Sequence, residues 1–148
     1  MAEPRAGGVE LAVRVGDLLS APPWRDVAPR AQTVLRAALG PVGREEDLLT
    51  APSRPSEAVE QAQGHDSTEL ALARALGAEW LDRYLLEWHL VGLEIDGEDL
   101  IAAGIPEGPA VGRGLAEALR RKLDGEIEGR QRELEVALAA ARESDEVA

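Results

Sequence analysis

EIDGEDLIAAGIPEGPAVGRGLAEALRRKLDGEIEGRQRELEVALAAAR, residues 94–142, decides the fold class. It reads as three helices separated by glycine punctuation. Asp96 can cap a short helix over 99–103, with Asp99 three residues on and Gly104 as its stop, the usual capping-box start and glycine end. Ile105-Pro106-Glu107-Gly108-Pro109 makes a tight connection. Pro109 suits the first turn of the second helix, where a missing N–H costs nothing. That helix is expected over 109–123, with Val111, Leu115, Ala118, Leu119 and Leu123 at inward spacing. Asp124-Gly125 closes it, and a last helix over about 126–142 carries Ile127, Leu134, Leu138 and Ala141 on one face.

Upstream of this segment the pattern is also helical. Residues 1–8 read as a disordered arm. Val9, Leu11, Val13, Val15, Leu18 and Leu19 form an apolar segment that Ser20-Ala21-Pro22-Pro23 stops. A helix is expected over 28–39, with Val34, Leu35, Ala38 and Leu39 inward and Gly40-Pro41-Val42-Gly43 at its end. Residues 43–66 hold two basic residues (Arg44, Arg54) against six acidic ones (Glu45, Glu46, Asp47, Glu57, Glu60, Asp66). They read as a mobile connection with one short helix over 56–63, capped by Ser56. Asp66-Ser67-Thr68-Glu69 opens another helix with Leu70, Leu72, Ala73 and Leu76 on one face. Gly77 bends the chain before Leu81, Tyr84, Leu85 and Trp88, and the stripe Trp80, Tyr84, Trp88 reads as core packing rather than a base-stacking platform.

The fold class expected is therefore all-α. The expected division is an arm at 1–8, helices with an acidic connection at 9–66, a helical domain at 67–142 and an acidic disordered tail at 143–148. Composition agrees. The 148 residues contain no Phe, one Tyr and three Trp, so the core must come from Leu, Val, Ile and Ala, residues that favour helix or pack on it. Without Cys, neither a disulfide framework nor a thiolate zinc site is possible. The apolar runs are too short for a membrane span, and Met1-Ala2-Glu3-Pro4 reads as a cytoplasmic start. A net charge of -12 argues against a broadly basic surface, so nucleic-acid binding would need a local patch.

One such patch is visible. Residues 113–122 carry Arg113, Arg120, Arg121 and Lys122 against Glu117 alone. A glycine turn that opens a helix also presents backbone N–H groups at the positive end of the helix dipole. The combination can grip a phosphate backbone without reading bases. A helix hairpin with a solvated basic face explains the same residues. The acidic run Glu94, Asp96, Glu98, Asp99 reads as capping, since calcium-loop spacing is absent. His65 and His89 have no partner set for metal or nucleophilic catalysis, and no Walker loop or Gly-x-Gly-x-x-Gly occurs. No catalytic residue, metal site or cofactor is expected.

The run Gly97-Glu98-Asp99-Leu100, Gly104-Ile105-Pro106, Gly108-Pro109, Gly112, Leu115, Leu123-Asp124-Gly125, Gly129-Arg130, Glu133-Leu134 and Ala137 resembles the C-terminal body and tail of class II tRNA nucleotidyltransferases, the CCA-adding enzymes and poly(A) polymerase-like proteins. In that family an N-terminal head adds nucleotides to tRNA 3′ ends, using Gly-Gly and Asp-x-Asp residues and an Arg-Arg-Asp motif. Here Gly7-Gly8 precedes no Asp-x-Asp, and Arg120-Arg121 is followed by Lys122. The resemblance thus implies a non-catalytic, tRNA-contacting part or stand-alone remnant. The contact would fall on Gly108, Gly112, Arg113, Arg120, Arg121, Lys122 and Arg130. Its partners would be tRNA and a separate nucleotidyltransferase head. A helix-hairpin-helix DNA-binding module, or a structural module docked on a catalytic subunit, are the alternatives.

Overall fold

The computed structural model describes residues 3–27 and 30–147, with side chains through residue 143. Every regular element among them is helical, in two compact units. The first unit comprises residues 1–53 and 57–89, and the second residues 54–56 and 90–148. The boundary falls at 89/90, where the sequence reading placed it at 66/67. The reason is the acidic connection, which packs with the helices that follow it.

The first unit holds α1 (Gly8–Leu18), α2 (Trp24–Val27), α3 (Ala31–Ala38), a 3-10 turn at Arg44–Leu48, all but the first two residues of α4 (Pro55–Gln63), α5 (Ser67–Ala75) and α6 (Trp80–Leu86). The expected start at Ala28 lies outside the described residues, and α2 is a short helix the sequence reading did not anticipate. Val34 and Ala38 are buried as expected, whereas Leu39 is half exposed. α5 starts with the Asp66–Glu69 capping box. It is not amphipathic: Leu70, Ala71, Leu72 and Ala73 are buried in succession, as in a helix with neighbours on all sides. α1, α3, α6 and the 3-10 turn all pack on it.

The connection 43–66 is ordered by long-range contacts. Leu48 is fully buried, and the Trp80 indole N–H donates to its carbonyl at 2.9 Å. Glu45, 2 % exposed, accepts from the Arg5 guanidinium and from the Gly43 amide. Arg5 also donates to the Pro41 carbonyl, so residues 3–8 are tied down rather than a loose arm. Ser56 lies within α4, not at its cap, and its hydroxyl donates to Asp124 at 2.7 Å. Trp24, 2 % exposed, donates to Asp82, which Arg74 also holds. Trp80 and Tyr84 pack against the core. Trp88 instead lies beneath the Arg83 guanidinium, 4.8 Å from the ring centre.

The second unit contains α7 (Gly97–Ala102), α8 (Pro109–Leu123) and α9 (Arg130–Val147). The tail expected to be disordered continues α9 as far as Val147, and Ala148 lies outside the described residues. No helix among the described residues is long and apolar enough to cross a membrane.

If the acidic connection belongs to the core, Leu48→Ala should lower stability by about 2–5 kcal/mol, as buried leucine truncations do. Leu49→Ala, at a side chain 43 % exposed, should cost well under that. Urea denaturation followed by circular dichroism checks the pair, and equal midpoints would return the segment to a surface role.

Candidate nucleic-acid interface

The candidate interface is assembled on the α7–α8 turn and on α8. α7 begins at the Asp96–Asp99 capping box and ends at Gly104, whose φ of +107° no β-carbon tolerates well. The chain then buries Ile105, whose amide returns to the Leu100 carbonyl at 3.0 Å. Gly108, φ +152°, precedes α8, and Pro109 fills its first turn. No side chain caps this helix start. A β-carbon added at Gly104, Gly108 or Gly112 would meet nothing within 4 Å. The three glycines therefore leave stretches of bare backbone along the turn and the first helical turn.

The inward face of α8 is as expected at Ala118 and differs around it. Ala110, Gly114 and Ala118 are buried, spaced by four. Val111 and Leu115 pack partly against the same core, while Leu119 and Leu123 are only partly covered. The cause is the closeness of α9: a β-carbon on Gly114 would stand 2.5 Å from the Ala137 carbonyl oxygen and 3.0 Å from the Ala141 β-carbon. α9 itself starts at Arg130 instead of near residue 126, because Gly125 (φ +75°) and Gly129 (φ +92°) interrupt the helix. Val136, Ala137 and Ala141 are its buried apolar residues, with Leu134 and Leu138 alongside, and Ile127 is buried in the connection before it.

The basic residues do not converge. Arg113 and Gly112 are exposed near the start of α8. Arg120 and Arg121 lie two turns further on, about 18 Å from Gly108 at 1.5 Å per residue. Both bind Glu117: Arg120 through Nε at 3.0 Å and Nη2 at 2.5 Å, and Arg121 through Nε at 3.0 Å, while Arg120 also lies 3.8 Å from the Asp124 carboxylate. The Arg120 hydrogen bonds, reinforced by Arg121 against the effect of partial burial, bring the Glu117 pKa down to about 2. Lys122 turns away to α9, where its ammonium donates to Glu133 at 2.9 Å and to the Gly92 carbonyl at 2.7 Å. Arg130 clasps the α7 cap through Asp99 and the Glu94 carbonyl, each at 2.8 Å. Arg120, Arg121 and Lys122 also occupy the last turn of α8, where cations suit the helix dipole without any ligand.

Glu133 enters the sequence reading only as part of the family run, with no role assigned to it. It is fully buried, and besides Lys122 it accepts from the Glu94 amide at 2.6 Å. Burial works to raise its pKa, but Lys122 and the Glu94 and Ile95 amides together hold it below the ordinary glutamate range. The Glu117 pairs were legible as i,i+3 and i,i+4 spacing; the Glu133 pair, across two helices, was not. Among the described residues no group of His, Asp and Glu side chains could hold a metal ion. No family model, no curated protein and no solved structure matches the chain.

Two glycines of α8 should respond with opposite sign. Gly112→Ala should stabilise by about 0.5–1 kcal/mol, because alanine restricts the unfolded chain and the site is open. Gly114→Ala should destabilise by about 1–3 kcal/mol through overpacking. Thermal melts followed by circular dichroism decide, and a stabilised Gly114→Ala would show that α8 and α9 pack less closely.

A second test uses pH. The lowered Glu133 pKa supplies stability that is complete above the ordinary glutamate range and is lost as pH falls through and below it. Glu133→Gln should cost about 1–3 kcal/mol at neutral pH. The gap to the parent should narrow in acid, because only the parent titrates. A gap that stays constant down to pH 3 would remove Glu133 from the acid response.

Proposed function

We propose that residues 94–142 form a non-catalytic contact for the tRNA backbone, of the kind found in the tails of tRNA nucleotidyltransferases, acting in the cytoplasm. The observation that carries this reading is the bare glycine edge at Gly104, Gly108 and Gly112, where backbone can approach backbone. It coincides with the Gly-Ile-x-x-Gly-Pro-x-x-Gly run on which the family resemblance rests. The second unit contains no Trp, Tyr or Phe, so base stacking is not available to it and phosphate and sugar contacts are what remain. Arg113 stands one helical turn beyond Pro109 and is the cation nearest that edge in sequence.

Arg120, Arg121, Lys122 and Arg130 play a smaller part than their number suggests, because each already faces a carboxylate. That pairing favours a second reading, a structural module docked on a separate catalytic subunit. The two diverge in solution. On the first, tRNA binds at low salt with a log–log salt slope of about -1 to -2, as one or two phosphate contacts give. Glu117→Gln frees Arg121 and leaves Arg120 only its longer contact with Asp124 at 3.8 Å, and should strengthen binding and steepen that slope by about one. Gly112→Ala should weaken binding even as it stabilises the fold. Fluorescence anisotropy with labelled tRNA, and with duplex DNA of equal length as competitor, makes the measurements. Binding that is absent at low salt and stays absent in Glu117→Gln leaves the docking module as the better reading. Preferential binding of the duplex points to a DNA contact instead.

A further inference from the structure

The two histidines of the chain, 24 positions apart in sequence, meet on one cleft of the first unit. The cleft has a volume of about 410 Å³, within the range of small-molecule sites. Its walls combine the apolar side chains of Leu70 and Leu85 with the rings of Tyr84, His65 and His89. Tyr84 and His89 lie ring against ring, with centroids 5.7 Å apart and tilted by 48°. Asp66 sits at the rim, and no Lys or Arg lines the cleft. The Glu69 carboxylate lies 3.6 Å from His65 Nδ1. Arg44 pairs with that same Glu69 oxygen at 3.7 Å, so the carboxylate left to the cleft is Asp66, which disfavours phosphates and carboxylates and favours a cation. Aromatic faces beside a carboxylate are what an ammonium group seeks.

A second observation marks this cleft as something other than a packing gap. The His65 side chain is 6 % exposed, and its Nδ1, 3.6 Å from the Glu69 carboxylate, makes no hydrogen bond. Buried polar atoms are normally paired, and an unpaired one carries a free-energy cost. The tRNA reading makes no use of either histidine or of this unit.

We infer that the cleft between α4, α5 and α6 binds a small organic cation, a protonated amine carrying an aromatic or branched apolar group. The apolar part lies between Leu70 and Leu85, and the ammonium faces Tyr84 and the Asp66 carboxylate. No covalent step is involved.

The chain offers its own probe, since only two imidazoles contribute to the histidine region of an NMR spectrum. Three ligands of near-equal shape separate charge from fit: phenethylamine, phenethyl alcohol and phenylacetate. The amine should give saturable shifts of both histidine signals. The alcohol should bind roughly tenfold more weakly, the scale of a cation–π contact with a nearby charge, and the acid not at all. Asp66→Asn retains a good helix cap and should weaken the amine roughly tenfold while leaving the alcohol unchanged. Tyr84→Phe, which keeps the aromatic face, should bind the amine as the parent does. Saturable binding of the alcohol as tight as that of the amine, or no saturable shift with any of the three, overturns the proposal. Amine binding that survives Asp66→Asn undiminished overturns the assigned orientation and with it the inference.

Discussion

Where α8 meets α9, the carbonyl oxygen of Ala137 leaves no room for a β-carbon on Gly114. That closeness follows from composition. A chain without Phe has few large side chains with which to fill space, and interiors must still reach close-packed density. The remaining route is to bring backbones together over Ala and Gly. The second unit does so with Ala110, Gly114 and Ala118 against Ala137 and Ala141. The first does so with Ala38, Ala62, Ala71, Ala73 and Ala78, and places its one fully enclosed indole, Trp24, among them. Cores of this kind tolerate little enlargement, because the atom a new methyl group meets is backbone and cannot turn aside.

The second organising force is the pairing of charge. Each unit carries eight Lys and Arg against fourteen Asp and Glu. The two glutamates buried in the described residues are both matched by cations, Glu45 by Arg5 and Glu133 by Lys122. An unmatched buried carboxylate costs several kcal/mol or more. In a chain so acidic, many cations serve to hold carboxylates in place. The candidate interface inherits this condition: its chemistry rests on backbone left bare by glycine more than on the arginines that first draw attention to it.

What the sequence made legible was local. The capping boxes at Asp66–Glu69 and Asp96–Asp99, the stops at Gly40 and Gly104, and the Gly108-Pro109 helix start depend on residues within a few positions, and the structure has them all. The all-helical class followed from the same signals. What stayed hidden depends on distant partners. The 43–66 segment reads as a loop because it is acidic and Pro-interrupted, yet Leu48 is enclosed by residues from 11 to 85 in the chain. The inner face of α8 went to the leucines by size, when proximity to α9 had assigned it to Ala110 and Gly114. At the candidate site, the glycine edge could be read directly, and so could the Glu117 pairs, whose spacing went unused. Lys122 could not be placed, because Glu133 is eleven residues away and on another helix.

All three tryptophans and the only tyrosine lie in the first unit, and the second is wholly aliphatic. The two units are consequently distinguishable to light. Near-ultraviolet absorption and indole emission report on the first unit alone, chiefly through Trp24 in the interior and Trp88 beneath Arg83. Far-ultraviolet dichroism reports on helices in both. Overlaying the two signals during unfolding would reveal, without a label or a cut in the chain, whether the units melt as one cooperative body or in sequence.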